Sequence, residues 1–345
     1  MLLLIFKKMI KKRFLLMQLV SVCIVLCTSA LPACSKTTDI TPADNRTPVE
    51  KYGQLKIAGV HVTDQNNQPV QLRGMSLFWS QSMGKFYNAQ TVKWLKNDWR
   101  CTVVRAAMGI ESGGYLTNSE VEKAKVIAVV DAAIAEGLYV VIDWHDHHAQ
   151  DHVEQSKAFF SEMAARYGDK PNVIYEIYNE PEKETAWSTQ IKPYADAVIK
   201  AIRAKDPDNI IVVGTPHWSQ DVDIAANDPL PYSNIAYSLH YYAATHKQSL
   251  RDKATAAINK GLALFVTEFG ISEASGTGYL DETEKKTWWT FLDDHKISWL
   301  NWSVTDKDET SAALLPGASG TGNWPETSIS RSGKMVRDEL RLKNP

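Results

Sequence analysis

Two glutamates stand where apolar runs stop, and they are the first chemical signal in the chain. Val173-Ile174-Tyr175-Glu176-Ile177-Tyr178 is β-branched and aromatic, follows Pro171, and ends in Asn179-Glu180-Pro181. It reads as a buried strand that Pro181 terminates. A carboxylate at that point is costly unless something uses it. An Asx turn or a cap at an ordinary strand end would also place Asn179-Glu180 there. A second run repeats the pattern: Leu262-Ala263-Leu264-Phe265-Val266-Thr267, then Glu268-Phe269-Gly270. Two strand-end glutamates on one parallel sheet make a carboxylate pair. Such a pair, one member protonated and one ionised, is the equipment of glycosidic bond hydrolysis. Metal chemistry is the competing reading. Asp143-Trp144-His145-Asp146-His147-His148 with Asp151-His152 is dense in ligand-type side chains. The run falls on a loop, lacks the i, i+4 helical spacing and matches no fixed zinc pattern, so neither a metal nor a cofactor is expected.

The elements that must position the glutamates alternate strand and helix. Strands are expected at 72–78, 101–107, 138–142, 173–178, 210–213, 235–239, 262–266 and 298–300. Helices are expected at 91–97, 119–136, 152–167, 193–205, 250–260 and 282–296. The helix at 119–136 has a capping box in Ser119 and Glu122 and a stop at Gly137. Residues 55–62 and 69–72, joined through 64–68, read as a short N-terminal β-hairpin. Eight strand–helix alternations predict an α/β fold, a (β/α)8 TIM barrel. An open doubly wound sheet is the alternative, but no glycine-rich phosphate turn follows an early strand. In a barrel every strand's C-terminal end opens at one mouth. Trp79, Arg105, Asp143-Trp144-His145, Asn179-Glu180, Trp218, His240-Tyr241-Tyr242, Glu268 and Trp302 would then converge. Singly, Arg105 could be a structural ion pair, and Tyr242 and Trp302 core packing.

The first 33 residues read as a signal peptide. Lys7, Lys8, Lys11, Lys12 and Arg13 precede an apolar segment at 14–31 that closes on small residues; a membrane anchor is the alternative. Leu31-Pro32-Ala33-Cys34 resembles a lipobox, with Cys34 as the lipidated residue. A tether poor in apolar residues follows at 34–50, and the catalytic domain is expected at 51–345. The chain should therefore be exported, touching membrane only through a lipid anchor at the cell surface or periplasm, or else secreted. Cys101 is the one cysteine of the body, which rules out a disulfide within it. A net charge of −2 without a basic stripe argues against nucleic acid. Eleven tryptophans are unusual; core packing can absorb several, and rows of exposed indoles stack on sugar faces.

An ordered set of fragments makes the reading more specific. It comprises Leu72-Arg73-Gly74-Met75-Ser76, Val103-Val104-Arg105-Ala106-Ala107-Met108, Tyr139-Val140-Val141-Ile142-Asp143-Trp144-His145, Asn179-Glu180-Pro181, Trp218-Ser219-Gln220-Asp221, Thr267-Glu268-Phe269-Gly270 and Asn301-Trp302-Ser303. Over residues 55–342 the chain resembles family 5 of the glycoside hydrolases, in its bacterial endo-β-1,4-glucanase branch. The resemblance implies a retaining, cofactor-free hydrolase acting as a monomer on cellulose-type β-glucan. Glu180 would be the acid/base and Glu268 the nucleophile. Asn179 would bond the 2-hydroxyl of the −1 sugar, and Arg105 would keep Glu268 ionised. Tyr242 would donate to Glu268, His145 and His240 would line the −1 subsite, and Trp302 would be its platform. Trp79 and Trp218 would stack on outer rings, with Lys307 and Glu309 on the outer negative subsites. After Ser76 the chain reads Leu77-Phe78-Trp79, where many relatives carry a His-Gly segment. Mannan, xyloglucan and mixed-linkage glucan remain alternative substrates, and a non-catalytic glycan-binding lipoprotein an alternative role.

Overall fold

The computed structural model describes residues 44–344. The leader, Cys34 and the tether up to residue 43 lie outside the described residues. The tether expected to reach Glu50 ends sooner, because Pro48–Tyr52 is a helical turn. Thr47 and Glu50 close a reciprocal capping box on it, and the Val49 N–H donates to the Gly137 carbonyl at 3.1 Å.

Eight parallel strands close into a barrel, as the strand–helix alternation predicts. They are β3 (Arg73–Leu77), β4 (Val103–Gly109), β5 (Tyr139–His145), β6 (Val173–Glu176), β7 (Ile211–Val213), β8 (Ile235–Tyr242), β9 (Leu264–Gly270) and β10 (Trp299–Val304), with β10 pairing back onto β3. Before them come β1 (Lys56–Ala58) and β2 (His61–Thr63), an antiparallel hairpin. It lies earlier in the chain than expected. Gly59, at φ 59°, begins the two-residue turn. The loop at 64–68 is instead an Asx turn, in which the Asp64 carboxylate accepts from the Asn66 and Gln68 N–H groups at 2.8 Å. It closes a single bridge, Thr63 to Pro69, because proline has no N–H with which to extend a ladder.

The helix expected at 119–136 spans Tyr115–Glu136, with a break in helical geometry at Asn118. Its capping box does not form as expected. Glu122 is buried and accepts from Ser80 and Lys125. Gly137, left-handed at φ 67°, does end the helix.

Alternation along each strand separates two cores. Val104, Ala106, Val140, Ile142, Tyr175, Tyr237 and Tyr241 face outward into the layer beneath the helices. Val103, Tyr139, Val141, Ile174, Val212, Ala236, Phe265 and Leu300 face the barrel axis, where Leu55 and Val62 of the hairpin region pack with them. The hairpin thus plugs the N-terminal end of the barrel, and the Tyr139 hydroxyl donates to the Gly53 carbonyl at 2.7 Å. Nearer the mouth the axis turns polar, with Ser76, Arg105, Asp143, Glu176, Ser238, His240 and Thr267 all buried.

One irregularity decides where the second glutamate points. Ser238 pairs with Phe265 and His240 with Glu268, so β9 carries one residue more than β8 across that interval. The same surplus appears against β10, where Trp299 pairs with Val266 and Asn301 with Phe269. The bulge lets consecutive residues, Thr267 and Glu268, both reach the interior.

Candidate active site

Arg105 is the centre of the polar layer. It lies on β4, wholly buried, and its guanidinium serves five acceptors from four strands and their ends. Nε donates to Glu176 Oε2 at 2.7 Å. Nη1 donates to Ser76 Oγ and Glu268 Oε2, both at 3.2 Å. Nη2 donates to Asn179 Oδ1 at 2.7 Å and pairs with Asp143 Oδ2 at 2.9 Å. Burial opposes the charge of Arg105, but Asp143, Glu176 and Glu268 outweigh it and hold the guanidinium above its ordinary range. Burial likewise pushes against ionisation of Glu176, but Arg105 and His240 prevail and hold it at about 2. Asp143 goes the other way. Burial dominates, Arg105 resists, and repulsion from Glu176 and Glu268 leaves its carboxyl well above the usual range.

Above this layer the two glutamates face one another. Glu268 accepts from Arg105 on one oxygen and from the Tyr242 hydroxyl, at 2.8 Å, on the other. Glu180 Oε1 meets His240 Nδ1 at 2.9 Å, and Oε2 lies 3.5 Å from His147 Nε2. Ligand atoms of Glu180, His240 and Glu268 all lie within 4.8 Å of one another. Burial and then the Glu180 carboxylate push Glu268 above the ordinary glutamate range, against His240, Arg105 and the Tyr242 hydroxyl. Arg105 and Tyr242 both favour the ionised form of Glu268, as expected, but burial and Glu180 outweigh them. Burial opposes a charge on His240, but its contacts with Glu176 and Glu180 outweigh burial and raise it to about 9. The result is one carboxylate braced by a cation and a phenol, facing another in contact with an imidazole able to share its proton.

A cavity of about 200 Å³ opens over this pair, and Trp79, His145, Glu180, Tyr242, Glu268, Trp302, Lys307 and Glu309 line it. Arg105, Asn179 and His240 lie buried around it. Trp302 and His145 stack 5.1 Å apart and within 4° of parallel. Burial, then the Arg105 charge, holds His145 well below its ordinary value, and its Nδ1 lies 2.7 Å from Asp143. The Asn179 amide is oriented by Arg105 on its oxygen. Its Nδ2, buried with no partner among the described residues, remains a free donor. Lys307 and Glu309 pair with each other at 2.6 Å, and Lys307 lies over Phe78. Trp218 stands outside the cavity, 38% exposed.

The metal-like run disperses. His145 pairs with Asp143, His147 with Glu180, His148 with Glu111 and Glu182, and His152 with Asp146. Glu111, Asp146 and His148 bring ligand atoms within 4.8 Å of one another, but Asp146 already accepts from Trp144, His152 and the His148 N–H.

Sequence reading passed over Glu176, Thr267 and His147 as site residues. Glu176 receives Thr267 Oγ1 at 2.6 Å and Ser238 Oγ at 3.2 Å in addition to Arg105. The available signal was a lone carboxylate inside an apolar run, which must have a partner when buried. His147 was legible only as part of the histidine cluster.

A closed parallel barrel with such a carboxylate pair at its mouth has the construction of the glycoside hydrolases. A family model described as Cellulase (glycosyl hydrolase family 5) matches residues 63–308. An endoglucanase of Clostridium saccharobutylicum is 50% identical over 293 residues, covering 84% of this chain and 65% of the relative. Endoglucanase Z of Dickeya dadantii is 53% identical over 272 residues, covering 78% and 62%. Among solved structures, one from Cytophaga hutchinsonii superposes with a TM-score of 0.86 at 56% identity, covering 87% of this chain and 98% of that one. The catalytic domain of a Thermobifida fusca endoglucanase, a variant in complex with cellotetraose, gives 0.82 at 35% identity, covering 86% and 100%. The chain belongs to glycosyl hydrolase family 5, the cellulase family. It spans about two thirds of the length of the curated relatives it matches.

Proposed function

We propose that this protein is a retaining endo-β-1,4-glucanase that hydrolyses soluble or amorphous β-glucan by double displacement. The observation that carries the reading is the proximity of Glu180 and Glu268, with oxygens within 4.8 Å. Inverting enzymes need carboxyls about 6.5–9.5 Å apart to admit a water, whereas about 5–5.5 Å suits direct attack. Glu268, held by Arg105 and Tyr242, attacks the anomeric carbon as Glu180 gives its proton to the leaving oxygen. Glu180 then takes a proton from water, which attacks the glycosyl–enzyme from the same face. The free Asn179 Nδ2 donor is available to the 2-hydroxyl of the sugar under attack, and Trp302 offers it an apolar face.

The endoglucanase names of the relatives, and the cellotetraose bound to one of them, support a β-glucan substrate. Carboxymethylcellulose should be cleaved endo-wise, faster than mannan, xyloglucan or mixed-linkage glucan. NMR of the first-formed reducing ends should show the β-anomer. An initial α-anomer would reject double displacement, a preference for mannan would change the substrate, and binding without cleavage would leave a glycan-capture protein.

We further propose that the chain is exported and acts as a monomer, with lipid on Cys34. The basic and apolar leader, the lipobox-like Leu31-Pro32-Ala33-Cys34 and the polar tether support this. In the expressing cell, Cys34→Ala should move the protein from the detergent phase to the aqueous phase. Unchanged partitioning would point to a retained leader instead.

A further inference from the structure

After β7 the chain makes a turn that side-chain-bearing residues rarely make. His217 (φ 59°, ψ 55°), Trp218 (φ 54°, ψ 49°) and Ser219 (φ 56°) are consecutive left-handed residues, and none is glycine. Residues with a Cβ visit that region singly rather than in runs. A run of three persists only where surrounding bonds impose it.

Those bonds converge on one segment, the backbone around Glu180. The His217 N–H donates to the Glu182 carbonyl at 3.4 Å, and the Trp218 N–H to the Pro181 carbonyl at 2.7 Å. Ser219 Oγ donates to the Asn179 carbonyl at 2.8 Å while accepting from the Thr215 N–H at 3.3 Å. Just before the turn, Gly214 lies so close that a Cβ there would come within 2.4 Å of the Tyr178 carbonyl oxygen and 2.8 Å of Pro181. On the opposite side, the Asn179 and Glu180 N–H groups reach the Trp144 and Asp146 carbonyls, both at 3.3 Å. The segment that bears Glu180 is therefore gripped between the end of β5 and the left-handed turn. The same turn carries the Trp218 ring outward to solvent.

We propose that the left-handed turn at 217–219 is the positioning element for the proton donor, and that Ser219 is a positioning residue acting through the Asn179 carbonyl. The turn grips the backbone around Glu180 and displays Trp218, so that a sugar platform and the donor are held as one body. This rests on the assignment of Glu180 as acid/base. Displacing the donor by a fraction of an ångström damages proton transfer while leaving Glu268 braced by Arg105 and Tyr242.

The test measures kcat/KM of wild type, Ser219→Ala and Ser219→Gly on two aryl β-cellobiosides. A 2,4-dinitrophenyl leaving group departs with little protonation, whereas a 4-nitrophenyl group needs more. General acid help is worth ~10²–10⁴-fold, and part of it should disappear. The loss on the 4-nitrophenyl substrate, and on carboxymethylcellulose, should exceed the loss on the dinitrophenyl substrate by about tenfold. Glycine accepts a positive φ without steric cost. Ser219→Gly should therefore melt no lower than Ser219→Ala while showing the same dependence on leaving group, which separates the hydroxyl from the strain. Equal losses on both substrates, no loss on either, or failure of both variants to fold would overturn the proposal and make the turn a folding element only. A wild type that cleaves none of the three substrates would instead reject the glucanase reading itself.

Discussion

Glu268→Ala should abolish turnover on every substrate, whereas Glu180→Ala should spare the first chemical step when the leaving group is acidic. In the proposed double displacement, removing the Glu268 carboxylate removes the attacking atom. Losses on the order of 10⁵–10⁶ are the scale of deleting a nucleophile, and no leaving group should restore the reaction. Removing Glu180 costs proton donation, ~10²–10⁴-fold on the native polysaccharide. With 2,4-dinitrophenyl β-cellobioside, a burst of dinitrophenol followed by slow turnover should appear as the glycosyl–enzyme accumulates without its base. Azide should speed that turnover and yield a β-glycosyl azide. An α-azide, or rescue of Glu268→Ala to a β-product, would reverse the two assignments. The acid limb of the wild-type pH profile should report Glu268. Activity needs the carboxylate, so it falls as pH drops through the folded pKa. Burial and the Glu180 charge hold that pKa above the ordinary glutamate value, so the fall begins at a higher pH than a free glutamate would give. Glu180→Gln removes one of those two causes and should move the limb to lower pH, measured on the dinitrophenyl substrate.

Arg105→Ala should be the most damaging substitution to the fold as well as to activity. It strands Asp143, Glu176 and Glu268 around a wholly buried space with no cation between them. Breaking a buried pair by deleting one partner costs about 3–5 kcal/mol. A drop of that size should be visible as a lowered denaturation midpoint in urea, if the variant is soluble at all. Arg105→Lys keeps the charge but not the planar fork that serves Glu176, Ser76, Glu268 and Asn179 together. It should recover part of the stability and little of the activity, because Asn179 and Glu268 lose their common anchor. Full activity in Arg105→Lys would show that net charge, not geometry, is what the site requires.

The barrel was legible because its strands are apolar runs of the right length with glycine or proline punctuation, and because the carboxylates stand where the runs end. The hairpin was misplaced because Asp64 to Gln68 has turn composition, while the missing N–H of Pro69 weakens the pairing that would follow. Ser119 and Glu122 have the spacing of a capping box. Tertiary partners, Ser80 and Lys125, took the Glu122 carboxylate instead. Glu176 was readable in principle as a charge inside a buried strand, but its partner is 71 residues away in sequence. The left-handed residues at 217–219 leave no such mark, since none is glycine or asparagine.

The surplus residue in β9 sets how this site can change over evolutionary time. A pleated strand offers inward positions at every second residue, and substitution can alter what occupies a position but not its parity. Glu268 gains access to the interior through a phase slip of one residue relative to both neighbouring strands. A point mutation can therefore remove the Thr267 or Glu268 side chain, but only an insertion or deletion can change how many adjacent residues face inward there. A single-residue deletion between Phe265 and Glu268 would return the strand to regular phase with the carboxylate still inward, but would abolish the second adjacent inward position that Thr267 fills. The pairing of Thr267 and Glu268 on one face is thus written in chain length rather than in side-chain chemistry, which shields it from gradual drift.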